Sequence, residues 1–170
     1  MNNKLYILCG IPFSGKTTLA KKLERKLGFK VIDLDEVKFD LFGKEIKDND
    51  IKEDGWDKVY QEVYKRIETN LIRGKTVIHD TGNFTKSERD LVKMMADKLS
   101  IKTVTIFVDT PKEVARERLL QNRKTTQRFD VTDEDFEGTT NEMELPSESE
   151  EHIVYKFGTP MEVWIKQNFM

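Results

Sequence analysis

Residues 9–20, "CGIPFSGKTTLA", decide how the rest of the chain is read. Two glycines, Gly10 and Gly15, stand five residues apart, with Lys16 directly behind the second and Thr17 and Thr18 after it. The stretch matches G-x-x-x-x-G-K-[ST] and lies between an apolar run, Leu5-Tyr6-Ile7-Leu8, and a segment with Leu19, Leu23 and Leu27 at helical spacing. That strand-to-helix context gives the pattern its mechanical meaning. Glycine lets successive N–H groups converge on one anion, and the helix that follows turns its positive end to the same point. The loop Gly10, Ile11, Pro12, Phe13, Ser14, Gly15, Lys16, Thr17 and Thr18 is therefore expected to cradle a nucleoside triphosphate. Lys16 would bridge its terminal phosphates and the Thr17 hydroxyl would hold Mg²⁺.

Outward from this loop, strands and helices alternate. "FKVIDLD" predicts a second strand with an acidic end, followed by a helix fragment and a loop. Val59, Val63, Ile67 and Leu71 predict a helix that Gly74 ends, "KTVIHD" a third strand, and "TKSERDLVKMMADKL" another helix. "IKTVTIFVD" reads as strand four. In "TPKEVARERLLQNR", Thr110 as N-cap, Pro111 at the first helical position and Glu113 form a capping-box signature. Residues 124–149 are polar and weakly periodic, with a short helix starting within Asp133–Phe136, and read as mobile. "HIVYKF" and "PMEVWIKQNF" give a last strand and helix. Such alternation requires crossovers, so the expected fold is α/β: a three-layer sandwich around a five-stranded, mainly parallel sheet, with ligands at the carboxyl ends of the strands. The 170 residues suffice for one domain, with a lid segment over about 116–145.

Composition narrows the function. A net charge of −2 argues against bulk attraction to nucleic acid or anionic membrane. Near the amino end no apolar run reaches signal or membrane length, so a cytoplasmic location is expected. The single cysteine, Cys9, reads as a buried strand residue, and the two histidines lie too far apart for a zinc site.

Four aspartates end the strands: Asp33 and Asp35 after the second, Asp80 after the third, Asp109 after the fourth. Phosphoryl transfer to an alcohol needs one carboxylate near Mg²⁺ and another to receive the hydroxyl proton. Asp80 suits the metal and Asp35 the base, whereas Asp109, just before Thr110-Pro111, reads as a helix cap. Arg116, Arg118, Arg123 and Arg128 could fold over the triphosphate, since a planar guanidinium neutralises charge on a transferring group.

These residues resemble the P-loop kinases of the AAA_33 group, the set that includes the kinase domain of phage polynucleotide kinase and chloramphenicol phosphotransferase. The resemblance rests on "GIPFSGKTTLAKKL", "VIDLDEVKFDLFG", "VIHDTGNFTKSERDLVKMMA" and "IFVDTPKEVARERLLQNR", with "LPSESEEHIVYKF" as a weaker block. It implies Asp35 as general base, Lys38 at a position where several members carry a substrate-binding arginine, and Asp80 and Asn83 in the strand-three block. Lys38 departs from the pattern because a lysine cannot grip a planar anion with two parallel bonds. The acidic lid, with Asp130, Asp133, Glu134, Asp135 and Glu137, would repel a polyanion.

The expected function is ATP- and Mg²⁺-dependent transfer of the γ-phosphoryl group to a hydroxyl of a small molecule. Lys16, Asp35, Arg123 and Arg128 would be catalytic, and Arg118 would join the loop at the nucleotide. Asp35, Lys38, Asp80 and Asn83 would face the acceptor, and Thr17 and Asp80 the metal. A polynucleotide 5′-hydroxyl kinase is the first alternative, with Lys38, Lys44 and Lys47 as its only local basic residues. An ATP-hydrolysing switch module is the second. A GTPase would need an N-K-x-D segment, which the chain lacks.

Overall fold

The structure, a computed structural model, describes residues 3–126 and 128–170. Five strands, β1 (Lys4–Cys9), β2 (Lys30–Asp33), β3 (Val77–Asp80), β4 (Lys102–Asp109) and β5 (His152–Lys156), form one sheet in the order β2-β3-β1-β4-β5. All four pairings are parallel. The helices are α1 (Lys16–Leu27), α2 (Leu34–Phe42), α3 (Glu53–Ile72), α4 (Lys86–Lys98), α5 (Lys112–Thr125), α6 (Asp133–Glu142) and α7 (Met161–Phe169).

Strand alternation sorts side chains to the two faces of the sheet. Tyr6 and Leu8 of β1 join Leu19, Ala20 and Leu23 of α1 and Trp164 and Ile165 of α7 on one side. Leu5 and Ile7 join Val59, Val63, Ile67 and Leu71 of α3 and Val92 and Ala96 of α4 on the other. Each of these leucines and isoleucines, withdrawn from water, contributes about 2 kcal/mol of transfer free energy. Cys9 is buried at the end of β1, as expected of a strand residue, with the Arg89 guanidinium donating to its sulfur at 3.6 Å.

Two boundaries differ from the sequence reading. β2 stops at Asp33, because the Asp33 carboxylate accepts the backbone N–H groups of Asp35 (2.8 Å) and Glu36 (3.4 Å) and starts α2 at once. Asp35 therefore sits on the first turn of a helix and not on a strand end. Thr110 does not cap α5 either: Pro111 occupies the N-cap position, and the Thr110 hydroxyl donates instead to the Ser14 carbonyl at 2.8 Å. A buried loop carbonyl outcompetes a solvated helix end for that hydroxyl.

Residues 133–142 form a full helix, longer than the start expected over 133–136. Phe136 is fully buried against Ile11, Ala115 and Leu119, which fastens α6 to α5 and the phosphate-type loop.

Candidate active site

The β1–α1 loop passes so close to β4 that a Cβ at Gly10 would lie 2.8 Å from the Val108 carbonyl oxygen. Gly10 and Gly15 have φ of 154° and 107°, and Phe13 has 61°. On the outside of the loop, Arg118 donates to the carbonyls of Phe13 (3.1 Å) and Ser14 (2.9 Å), and Thr110 to that of Ser14. With these carbonyls engaged, the amides at the start of α1, which have no partner within the helix, are the groups left to an anion. Lys16 folds across them, donating to the carbonyls of Gly10 (2.6 Å) and Ile11 (3.0 Å). Burial pulls its ammonium down to about 8, against the opposing pull of Asp80. An incoming polyanion would supply the counter-charge that the lysine lacks.

Asp33 and Asp80 are register partners across β2 and β3 and share the face that carries α1. Asp80 is 4% exposed, takes a hydrogen bond from Thr17, and has its Oδ2 buried without a partner among the described residues. Burial first, and then the charge of Asp33, push its carboxyl up to about 6. A divalent cation would relieve both the repulsion and the orphaned oxygen, so Thr17 and Asp80 fit Mg²⁺. Among the described residues no three His, Cys, Asp or Glu side chains cluster as a metal site. That suits a cation bound by one carboxylate, one hydroxyl, water and substrate phosphates.

Asp35 is half-exposed, and its Oδ1 accepts from Lys38 Nζ at 2.9 Å. Lys38 is 1% exposed; its ammonium also donates to Asp48 Oδ1 at 2.6 Å and lies about 5 Å from the ring centres of Phe39 and Phe129. The lysine is thus a buried clamp that joins α2 to the lid segment. Asn83 is buried in the left-handed conformation (φ 47°), and its side chain donates to the Leu8 carbonyl at 3.0 Å. It ties the loop after β3 to β1.

The lid acids largely face the lid's own cations. Arg123 bonds Asp130 (2.9 Å), Asp133 (3.2 Å) and the Val131 carbonyl, while Arg116 and Lys112 both hold Glu137. Glu134 and Asp135 belong to the first turn of α6, where Thr132 caps the helix through the Asp135 amide. Arg128 is placed differently, with its guanidinium 5.4 Å from the Phe13 ring centre and close enough for its charge to act on Lys16 and Asp80. Its own amide and carbonyl are held by the Asn122 side chain.

Two cavities flank the loop. One of about 840 Å³ is lined by Thr17, Asp33, Asp35, Phe39, Arg128 and Phe129. The other, about 330 Å³, is lined by Gly15, Thr18, Arg118, Tyr155 and Met161. Sequence reasoning missed Phe39, Phe129 and Asp48, which nothing local marks, and His79, whose polar ring inside the apolar run of β3 is a legible signal. His79 is buried with neither ring nitrogen hydrogen-bonded among the described residues, and burial lowers its pKa to about 3. The buried pair of Arg89 and Glu150 (2.7 and 3.0 Å) braces α4 against the approach to β5.

A parallel sheet of order β2-β3-β1-β4-β5, with a G-x-x-x-x-G-K-T loop between its central strand and first helix, defines a P-loop nucleotide-binding fold of the kinase type. Residues 5–146 match the AAA domain family, AAA_33, and the chain belongs to that family. It is 30% identical over 111 residues to a shikimate kinase of Persephonella marina, a match that covers 65% of this chain and 64% of that protein's length. A Chloroflexus aurantiacus protein provisionally named a kinase superposes with a TM-score of 0.77 at 19% identity over the whole of both chains. The APS kinase CysC of Mycobacterium tuberculosis, in complex with AMPPNP and APS, gives 0.69 at 16% identity, covering 98% of this chain and 95% of that one. Among the described residues no helix is long and apolar enough to cross a membrane.

Proposed function

We propose that this protein is a small-molecule kinase that transfers the γ-phosphoryl group of ATP to a hydroxyl. One observation supports the reading: Asp35, Asp80 and Lys16, whose chemistry suits three different tasks in phosphoryl transfer, lie together at the end of one glycine-rich loop. The relatives named as kinases support it.

The amides at the start of α1 and Lys16 bind and orient the triphosphate. The smaller cavity, beside Gly15, Thr18 and Arg118, receives the nucleoside. Thr17 and Asp80 would hold Mg²⁺, which when bound would supply charge neutralisation at the phosphates. Asp35 accepts the acceptor's hydroxyl proton as its oxygen forms a bond to the γ-phosphorus and the bond from that phosphorus to the bridging oxygen breaks, releasing ADP. Lys38 orients Asp35. Arg128, from the lid segment, neutralises charge on the transferring group, and Arg123 holds the lid in shape. Catalysis is then mainly positioning and charge compensation.

The carrying observation is tested by labelled phosphate transfer at saturating ATP. Asp35→Asn keeps the size of the side chain and removes the proton acceptor, so transfer should fall by about 10² to 10⁴ with nucleotide affinity unchanged. Transfer at the parent rate would remove Asp35 from the mechanism.

A further inference from the structure

A third cavity, about 430 Å³, opens beyond the end of β3 between α3 and α4. Its chemistry comes from Tyr60, Tyr64, His79, Gly82, Phe84 and Glu88. Strand alternation aims His79 to the α3 and α4 side of the sheet and Asp80 to the opposite side, so the two neighbours serve different spaces. His79 is 2% exposed, and both ring nitrogens are buried without a hydrogen bond among the described residues. Buried polar groups in folded proteins are nearly always paired. An imidazole carries a donor and an acceptor that no described residue satisfies, at the floor of a cavity able to admit a ligand.

The walls say which ligand. The Tyr64 ring lies 6.4 Å from that of His79 and 6.2 Å from that of Tyr60. The Glu88 carboxylate faces both tyrosines, where after burial its charge is a further reason that each phenol sits above its ordinary pKa. Glu88 Oε2 accepts the Thr85 amide at 2.8 Å, and Oε1 is the oxygen left for a ligand. No lysine or arginine lines the cavity among the described residues. One negative charge beside two aromatic faces is a setting for an ammonium group. It is a poor one for a carboxylate or phosphate, which would meet Glu88 with no cation in compensation.

The cavity also touches the phosphate-binding loop. Phe84 forms one wall, and its ring centre is 5.6 Å from Lys16 Nζ on the other side. A side chain at Gly82 would overlap this ring, so glycine there lets Phe84 close down. Leu34, the residue before Asp35, lines the same space.

We propose that this cavity holds the amine end of the acceptor and selects a small polyhydroxy compound bearing an amine: the ammonium is held by Tyr60, Tyr64 and Glu88 and one hydroxyl by His79, while the reacting hydroxyl extends past Leu34 to Asp35 in the adjoining cavity beside the loop. The inference rests on the kinase reading above, since it takes the bound compound to be the acceptor. Its recognition chemistry is nonetheless readable without turnover.

Binding of three matched sets, amino sugars and amino alcohols, neutral polyols, and sugar acids, is followed by the imidazole resonances of the full chain with AMPPNP and Mg²⁺ present. The sequence has two histidines, and His152 on β5 serves as the internal reference. Glucosamine or another amine should shift the His79 ring signals saturably, glucose at least tenfold more weakly, and gluconate not at all. Glu88→Gln should weaken amine binding at least fivefold with AMPPNP affinity unchanged, because glutamine keeps the helix-capping bond to Thr85 and removes only the charge. Tyr64→Phe should weaken it without affecting the fold. Gluconate binding as tightly as glucosamine, or no amine moving His79, would overturn the proposal. An amine that binds at His79 in a protein that never transfers phosphate would uphold this subsite chemistry and refute the kinase reading alone.

Discussion

Lys38 and Asp35 form an ion pair at 2.9 Å in which the lysine is buried and the aspartate faces the cavity beside the loop. The lysine owes its place to three aromatic rings, those of Phe39, Trp56 and Phe129, and to a second carboxylate, Asp48. Lys38→Met keeps most of that packing and leaves two carboxylates that water can reach, so the fold should change by no more than about 1 kcal/mol. Transfer should fall about tenfold as Asp35 loses its orientation. Thermal unfolding and kcat, measured on the same preparation, check the two halves separately.

Asp80 makes stability depend on pH in a predictable direction. Its folded pKa of about 6 lies above the unfolded value near 3.8, so the native state keeps a proton that the unfolded chain has released. Stability is therefore lost as pH rises from about 4 to 6, at a cost of roughly 3 kcal/mol once ionisation is complete. Asp80→Asn should be the more stable protein at pH 7, and its advantage should vanish near pH 4. The same variant should bind ATP more weakly when Mg²⁺ is present. Denaturant titrations of parent and variant at the two pH values decide the first point, and calorimetric binding the second.

The Arg89–Glu150 pair is sensitive in the opposite sense. Burial works against the Glu150 carboxylate, but bonds from Arg89 and the Ser147 amide hold its pKa below the ordinary glutamate value. Its contribution is present above that ordinary value and is lost as pH falls through the folded one. Glu150→Gln leaves the Arg89 charge buried and should cost about 3–5 kcal/mol. A denaturation midpoint within error of the parent's would contradict this.

The lid arginines should separate by role. Arg123 is tied to Asp130, Asp133 and a carbonyl, so Arg123→Ala should loosen residues 128–133 in hydrogen exchange. Arg128→Ala should leave that exchange unchanged and lower turnover about 10²- to 10³-fold, in line with the loss of one charge-stabilising donor. AMPPNP should slow exchange over residues 124–140 in the parent; equal rates with and without it would exclude a closing lid.

Most of the sheet was legible because its strands are short apolar runs alternating with helical spacing, and because one loop motif orders them. The phosphate-type loop was legible residue by residue. Asp33 shows where local reading stops: cap or strand end depends on the backbone after it, and Asp33 turned out to be the cap that places Asp35. Thr110 has a faultless capping pattern, yet a carbonyl 96 positions earlier in the chain claims its hydroxyl. Lys38, expected to face the acceptor, is enclosed by Phe129 from far along the sequence, and Phe136 packs a stretch whose composition is polar. These are long-range pairings, which no local pattern carries.

The central claim concerns the fate of the γ-phosphoryl group, and following its label answers it most directly. The purified chain is incubated with γ-labelled ATP, Mg²⁺ and a panel of sugars, amino sugars, nucleosides, antibiotics and a 5′-hydroxyl oligonucleotide, and the label is traced to products. Label should appear on a hydroxyl of a small molecule, in amounts equal to the ADP formed, and this product should be lost in Lys16→Ala. Label found only as inorganic phosphate, whatever acceptor is supplied, or only on the oligonucleotide, would contradict the account.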